Sequence, residues 1–416
     1  MAERQSDEMQ GKITPDGIQR MRNRIGNLIP QPKPFNTEAS EDSIRHHAFS
    51  YGDDNPLWCD AEYGAKARWG GVIGAPGYVG TMGISVASPI PPEVRAKGAG
   101  ALRGVPNYLS GSSWTWVRPV YPGDRVFKRY YIAKVEEKRS EFGGGKAVVV
   151  HHKHEFTNSR NEVVAIMRNY FFHVEREASE KTGKYAEIEQ PRYDEDELAR
   201  IDEAYASEIV RGAEPRYWED VKEGETLPAM VRGPLCVTDI LLWHSGRGFG
   251  AMFGVAALKM GYENRRKVPA FYTRNEYNAW DVAQRVHWDN ARAQRVGNPR
   301  AYDYGSMRTH WITNFLTNWM GDDGWLLKQS DQIRRFNFMG DTSWVHGKIV
   351  RKYAEGKRHM VDLELWVENQ RGEATAPGDA TIILPSREHG PVVRPGEAGE
   401  FQPSVQNTEY SVLVEE

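Results

Sequence analysis

The chain has 416 residues, with 54 Lys and Arg against 57 Asp and Glu and a net charge of −3. That balance, with no basic block, gives no general attraction to nucleic acid. The 39% hydrophobic and 27% charged fractions are those of an ordinary globular protein. Cys59 and Cys236 are the only cysteines, which excludes a disulfide framework and a multi-cysteine zinc site.

The length is too great for one core and suits two domains of roughly 150–200 residues. Met1 to Gly26 is polar and has no apolar signal core, and no run reaches the length of a transmembrane helix. A cytoplasmic protein without a membrane partner is expected. Thirteen Trp and nineteen Tyr predict large buried aromatic surfaces, in an apolar tunnel or an oligomer interface.

Residues 1–34 form an extension with one amphipathic stretch, Ile18, Met21, Ile25 and Ile29. Ile29-Pro30-Gln31-Pro32-Lys33-Pro34 then breaks it. Ala39 to Phe49 reads as a short helix capped by Ser40 or Ser43, with acids in its first turn. Next comes Ser50-Tyr51-Gly52-Asp53-Asp54-Asn55-Pro56-Leu57-Trp58-Cys59-Asp60, which sets an acid in a tight loop before a second short helix, Ala61 to Ala67. A carboxyl on a loop between rigid neighbours suits general acid–base work; the plain alternative is an Asp/Asn turn with a cap. Gly77 to Ser88 is free of charge and reads as a long buried helix. Four strands follow, Gly111–Val117, Val126–Val135, Ala147–Thr157 and Val163–Val174. His151, His152 and His154 lie on one of them; with no third ligand or carboxylate paired to them they read as strand surface, not a metal site. Residues 177–215 are a charged linker with a helix over Asp194–Ile209.

The pattern then repeats. Gly340-Asp341 precedes a strand, Ser343–Tyr353, as Gly123-Asp124 precedes Val126–Val135. Met360–Glu368 and Thr375–Leu384 complete the set. Asn369-Gln370-Arg371-Gly372-Glu373 repeats Asn158-Ser159-Arg160-Asn161-Glu162. Thr309–Met320 stands where Gly77–Ser88 stands, and Ser245-Gly246-Arg247 where Tyr51-Gly52-Asp53 stands. His287-Trp288-Asp289 matches Trp58-Cys59-Asp60, after an insertion, 248–285. The units are 35–176 and 216–390, with a tail at 391–416. A long helix wrapped by a curved antiparallel sheet, present twice, predicts an α+β double hotdog.

Gly52, Asp53, Asn55, Pro56, Leu57 and Asp60 resemble the hydratase motif of the MaoC-like dehydratases, also known as (R)-specific enoyl-CoA hydratases. Trp218 to Pro228 resembles the opening of such a domain. His287-Trp288-Asp289, Gly297-Asn298-Pro299 and Tyr304-Gly305 resemble its later motif. The first half is similar to the dehydratase region of fungal-type fatty-acid synthases. The resemblance covers most of 35–387. It implies hydration of a trans-2-enoyl-CoA or the reverse dehydration, with no cofactor beyond the CoA of the substrate, no metal, and a homo-oligomeric protein. An acyl group of bulky or unusual shape would fit the insertion and the many aromatics. In the family one Asp and one His share the water, and backbone N–H groups at the start of the long helix hold the enolate oxygen. Each half here has lost one partner. The first keeps Asp53 but has Trp58 at the His position. The second keeps His287 but has Arg247 at the Asp position.

Three accounts follow. Asp53 and His287 meet between the halves; or Glu276, Asp281 or Asp289 supplies an acid to His287; or the protein binds an acyl thioester without turning it over. Asp53 and His287 are the catalytic candidates, with Asn55, Asp289 and Gly305 in support. Tyr302 and Tyr304 are site or wall. The acids of Gly321-Asp322-Asp323 read as turn residues, and Cys59, with no paired base, as a filler rather than a nucleophile. A hotdog thioesterase or an acyl-CoA-binding protein is the competing class. The insertion is expected to wall the acyl end of the site, with Arg265, Arg266, Lys267 and Arg274 meeting CoA phosphates; the alternative is a surface hairpin serving oligomer contacts.

Overall fold

Ser40 caps the helix Glu41–Phe49 in a reciprocal box with Ser43, and Asn55 and Asp60 cap the short helices Pro56–Cys59 and Ala61–Lys66. These caps fix the loop that carries Asp53. The computed structural model describes residues 11–139, 145–175, 188–248, 255–398 and 400–403. In the first half β1 is Ile84–Ser85, β2 Asn107–Trp116, β3 Phe127–Lys138, β4 Ala147–Thr157 and β5 Val163–His173. In the second, β6 is Met230–Arg232, β7 Tyr272–Arg274, β8 Trp280–Val282, β9 Trp325–Gln332, β10 Ser343–Glu355, β11 Arg358–Asn369 and β12 Ala374–Leu384.

Ten of these strands form one sheet, in the order β1-β3-β4-β5-β2-β9-β12-β11-β10-β6. The halves join by antiparallel pairing of β2 with β9, from Gly111↔Gln332 to Thr115↔Lys328. Gly111 is needed at this seam, because a Cβ there would lie 2.5 Å from the Tyr170 ring and 2.7 Å from the Asp331 carbonyl oxygen. The repeated turns share one construction. Asn158 Oδ1 accepts from the N–H of Arg160 and Glu162, and Asn369 Oδ1 from those of Arg371 and Glu373.

The second half wraps its sheet around the helix Gly305–Met320, 16 residues long and almost wholly buried. The expected counterpart over Gly77–Ser88 is absent, so among the described residues the sheet wraps one long helix, not two. A short 3₁₀ helix, Pro76–Thr81, stands in its place, and β1 follows it. The sequence explains the loss. Gly77, Gly80 and Gly83 recur every third residue, each costing a helix about 1 kcal/mol relative to Ala, and Gly83 takes φ +114°. The absence of charge did signal burial, but not helix.

The two motif helices, Glu41–Phe49 and Val237–Arg247, pack closely at Gly246, where a Cβ would meet the Ser50 side chain at 2.2 Å. The insertion holds a helix, Leu258–Lys267, and the separate hairpin β7–β8. Leu258, Met260, Tyr262, Tyr277 and Trp280 are exposed there. The described part of the insertion is therefore a surface element with uncovered apolar side chains, not the expected wall. Phe249, Met252 and Phe253, part of that wall expectation, lie outside the described residues. Among the described residues no helix is long and apolar enough to cross a membrane.

Candidate active site

Asp53 sits at the back of an open cleft of about 620 Å³ that it shares with Tyr205, Glu208, Arg232, Met307 and Trp311. The residue is 2% exposed. Burial pushes its pKa up to about 6, against the pull of the Asn55 N–H (3.1 Å), the Tyr51 hydroxyl (3.2 Å) and the charge of Arg232. Arg232 is committed elsewhere. It grips both oxygens of Glu208, at 2.7 and 2.9 Å, and donates to Asn314 on the long helix. Asp53 is thus a buried acid whose proton affinity lies near neutrality, the condition a general base needs. Asn55 shapes the loop: its side chain accepts from the Leu57 N–H at 3.0 Å. Trp58, at the His position, is buried in the core.

His287 lies at the start of the long helix. Its ring stacks at 3.8 Å on Tyr304, the residue that caps the long helix, and meets Tyr302 at 4.9 Å. Nδ1 donates to the Tyr302 carbonyl at 2.9 Å, so Nε2 is left as an acceptor. Burial lowers its pKa to about 4, which keeps the imidazole neutral at physiological pH. Gly305 is the first residue of the helix beside it.

The structure does not bring Asp53 and His287 into contact. Asp53 bonds within its own loop and faces Arg232; His287 bonds to Tyr302. Nor does the insertion supply an acid to His287. Asp289 caps the helix Asn290–Arg295 and pairs with Arg285 at 3.0 Å. Asp281 accepts from the Val282 N–H, and Glu276 is exposed at the hairpin tip. Asp53 shares its cleft with Met307 and Trp311 of the long helix, and His287 lies against Tyr304 at the start of that helix. The first turn of a helix has N–H groups without intrahelical acceptors, and its dipole favours negative charge.

The remaining candidates fall into structural places. His151 bonds to Glu136, His152 to the Tyr130 hydroxyl and His154 to Asn169. Among the described residues no group of three His, Cys, Asp or Glu could hold a metal ion. Asp322 accepts from the Tyr63 hydroxyl at 2.7 Å, and burial pushes the Cys59 thiol up to about 12, unsuited to a nucleophile. Arg265 and Arg274 stack on Trp280 at 5.0 and 4.0 Å. Sequence reasoning passed over Arg232, although a lone cation inside the apolar run Met230-Val231-Arg232 is a legible sign of a buried pair. It also passed over His244, whose ring lies 6.0 Å from that of Tyr304.

The architecture is that of the MaoC-like dehydratases, a double hotdog. Residues 25–167 match the family model for the FAS1-like dehydratase domain region. A solved MaoC-like dehydratase is 16% identical, with a TM-score of 0.58, over 88% of this chain and 99% of its own. A putative MaoC domain protein dehydratase from Chloroflexus aurantiacus J-10-fl is 14% identical, with a TM-score of 0.52, over 88% of this chain and 96% of its own. A conserved hypothetical protein from Mycobacterium tuberculosis, described as having a double hotdog fold, is 12% identical, with a TM-score of 0.50, over 89% and 99%. Comparison with curated protein sequences returns no match. The resemblance of the first half to a dehydratase region is borne out by the family model over 25–167, and the expected double hotdog by the fold over most of the chain.

Proposed function

We propose that the protein is a hydro-lyase that adds water to a 2-enoyl thioester of coenzyme A, or removes it from the 3-hydroxyacyl product. The observation that carries this reading is Asp53: a buried carboxyl with its pKa near 6, at the back of a cleft that reaches the first turns of the long helix. Asp53 takes a proton from water as the water oxygen bonds to Cβ. The Cα–Cβ π pair moves onto the thioester carbonyl oxygen as an enolate. The helix's first turn, starting at Gly305, stabilises that oxygen. The Asp53 carboxylic acid then returns its proton to Cα, and the carbonyl re-forms. His287, neutral and with Nε2 accepting, orients the water from the opposite side. Dehydration is the same path reversed. CoA enters as part of the substrate and no cofactor is required.

Mixing the protein with trans-2-enoyl-CoAs of several acyl types and following the conjugated-thioester absorbance tests this reading. Loss of that absorbance with no free thiol is the expected result. Release of thiol would make the protein a thioesterase, and binding with neither change would make it an acyl-CoA-binding protein.

A further inference from the structure

Arg247 ends the second motif helix, at the position where the first half has Asp53. Its side chain is 7% exposed, and its Nε and one terminal nitrogen are buried without a hydrogen-bond partner among the described residues. Arg232, Arg308 and Arg285, also buried, pair with Glu208, Asp303 and Asp289, and Arg300, as buried as Arg247, lies over the Phe338 ring at 5.5 Å. Among the described residues, the titratable groups whose charge state Arg247 perturbs are themselves bases. Lys128 on β3 has its pKa lowered to about 8 by burial and by Arg247. His154 on β4 is depressed by burial and then by Lys128, and His47 and His310 also feel Arg247.

The broken helix makes room for these groups. A Cβ at Gly77 would lie 2.3 Å from the His310 ring, one at Gly80 2.7 Å from the Arg247 guanidinium, and one at Gly83 2.8 Å from the Lys128 side chain. Three glycines, three apart, are each covered by one base. Burying a charge with no partner is costly, and a cluster of bases with no acid keeps its charge only if an anion joins it.

We propose that Arg247 and Lys128 receive a carboxylate carried on the acyl group, so that the substrates are CoA thioesters of dicarboxylic acids. The proposal rests on the hydro-lyase reading for its reaction, but not for its binding. Position supports it. The Tyr51 hydroxyl donates to Asp53, and the Tyr51 ring meets those of His47 and His310 at 5.3 and 5.2 Å. The Tyr51 ring and then the His47 and His310 rings thus link Asp53 to the bases around Arg247. A guanidinium fork matches a carboxylate. CoA phosphates need a site at a solvent-facing mouth, and Arg247, His47 and His310 are buried.

The test uses saturated thioesters, which cannot be hydrated. Calorimetry compares succinyl-CoA with butyryl-CoA, and adipoyl-CoA with hexanoyl-CoA, on the full chain and on Arg247→Met. The expected result is roughly tenfold or greater preference for the carboxylate-ended member of a pair, collapsing in Arg247→Met. Lys128→Gln, on a half-buried strand position, lowers the same preference by less, and decides the matter should Arg247→Met fail to fold. Equal affinities in the unaltered protein overturn the proposal. So does a variant that weakens both members of a pair alike, as a contact to the CoA phosphates would. Absence of enoyl-CoA hydration alongside an intact preference would sink the hydro-lyase reading alone.

Discussion

The two halves have decayed in complementary ways. The first keeps an acid on its motif loop, Asp53, and has lost its long helix to a 3₁₀ turn. The second keeps the long helix and a histidine at its entrance, and carries Arg247 where an acid would stand. In the proposed reaction the acid of one half works at the helix of the other, whose Met307 and Trp311 line the Asp53 cleft. His310, Arg247 and Lys128 pack against the glycines of the turn that stands in the helix's place.

The strongest way to break this division of labour is Asp53→Asn. Hydration should fall by about a hundredfold or more, the usual scale for a positioned base. Stability should move the other way. The unfolded chain holds this carboxyl near 3.8 and the folded protein near 6. Between those values the native state binds more protons, so stability falls as pH rises, and above pH 6 the full cost is present. That cost is on the order of 3 kcal/mol, and Asn removes it. A variant that is inactive and melts higher than the unaltered protein at pH 7.5, with the difference shrinking toward pH 4, is the expected outcome. Retained turnover removes Asp53 from the mechanism.

His287→Ala should cost less, about tenfold. Its Nδ1 is held by a carbonyl and not by a carboxylate, so Nε2 is a weak base that orients more than it abstracts. A loss as large as that of Asp53→Asn would reverse the ranking and make the second half the seat of proton transfer.

A finer probe is Tyr51→Phe. The Tyr51 hydroxyl favours the ionised form of Asp53. Removing it should raise the acid limb of kcat/KM from near pH 6 by roughly half a unit or more, leaving activity at pH 8 within a few-fold. A limb that does not move would mean that another group sets the pH dependence.

Local chemistry made much of the fold readable. Ser40, Asn55 and Asp60 are caps whose side chains announce them, and β4 begins and ends at Ala147 and Thr157, where the alternation does. What failed was tertiary. Tyr78, Val79 and Met82 are buried as their apolar character implies, but glycine spacing, which decides between a helix and a 3₁₀ turn, was outweighed by composition. The seam strand β9 was missed because Lys328-Gln329-Ser330-Asp331-Gln332 is polar. Its polarity is satisfied only across the chain, by Ser112 and Thr309 on Asp331 and by Thr313 on Gln329. At the site, the motif named Asp53 and His287, but three ways of joining them stayed open. The choice between those accounts turns on where the long helix begins, which residue spacing does not encode.

The smallest effect tests whether the halves still fold as one. Asn158 and Asn369 do the same work in twin turns, each accepting from two backbone N–H groups. Replacement by Ala strands those donors, at a cost of about 1–2 kcal/mol. Asn369 is 2% exposed, whereas Asn158 is half-buried and water can partly replace its oxygen. Asn369→Ala should therefore cost more than Asn158→Ala. The continuous sheet through β2 and β9 makes a further demand. Each variant should lower the midpoint of a single calorimetric transition, because losing the pairing in one half uncovers the edge strand of the other. Two transitions, each moved by one variant only, would show that the seam is a contact between independent domains. Asp53 would then depend for its position on a docking that each half can lose without unfolding.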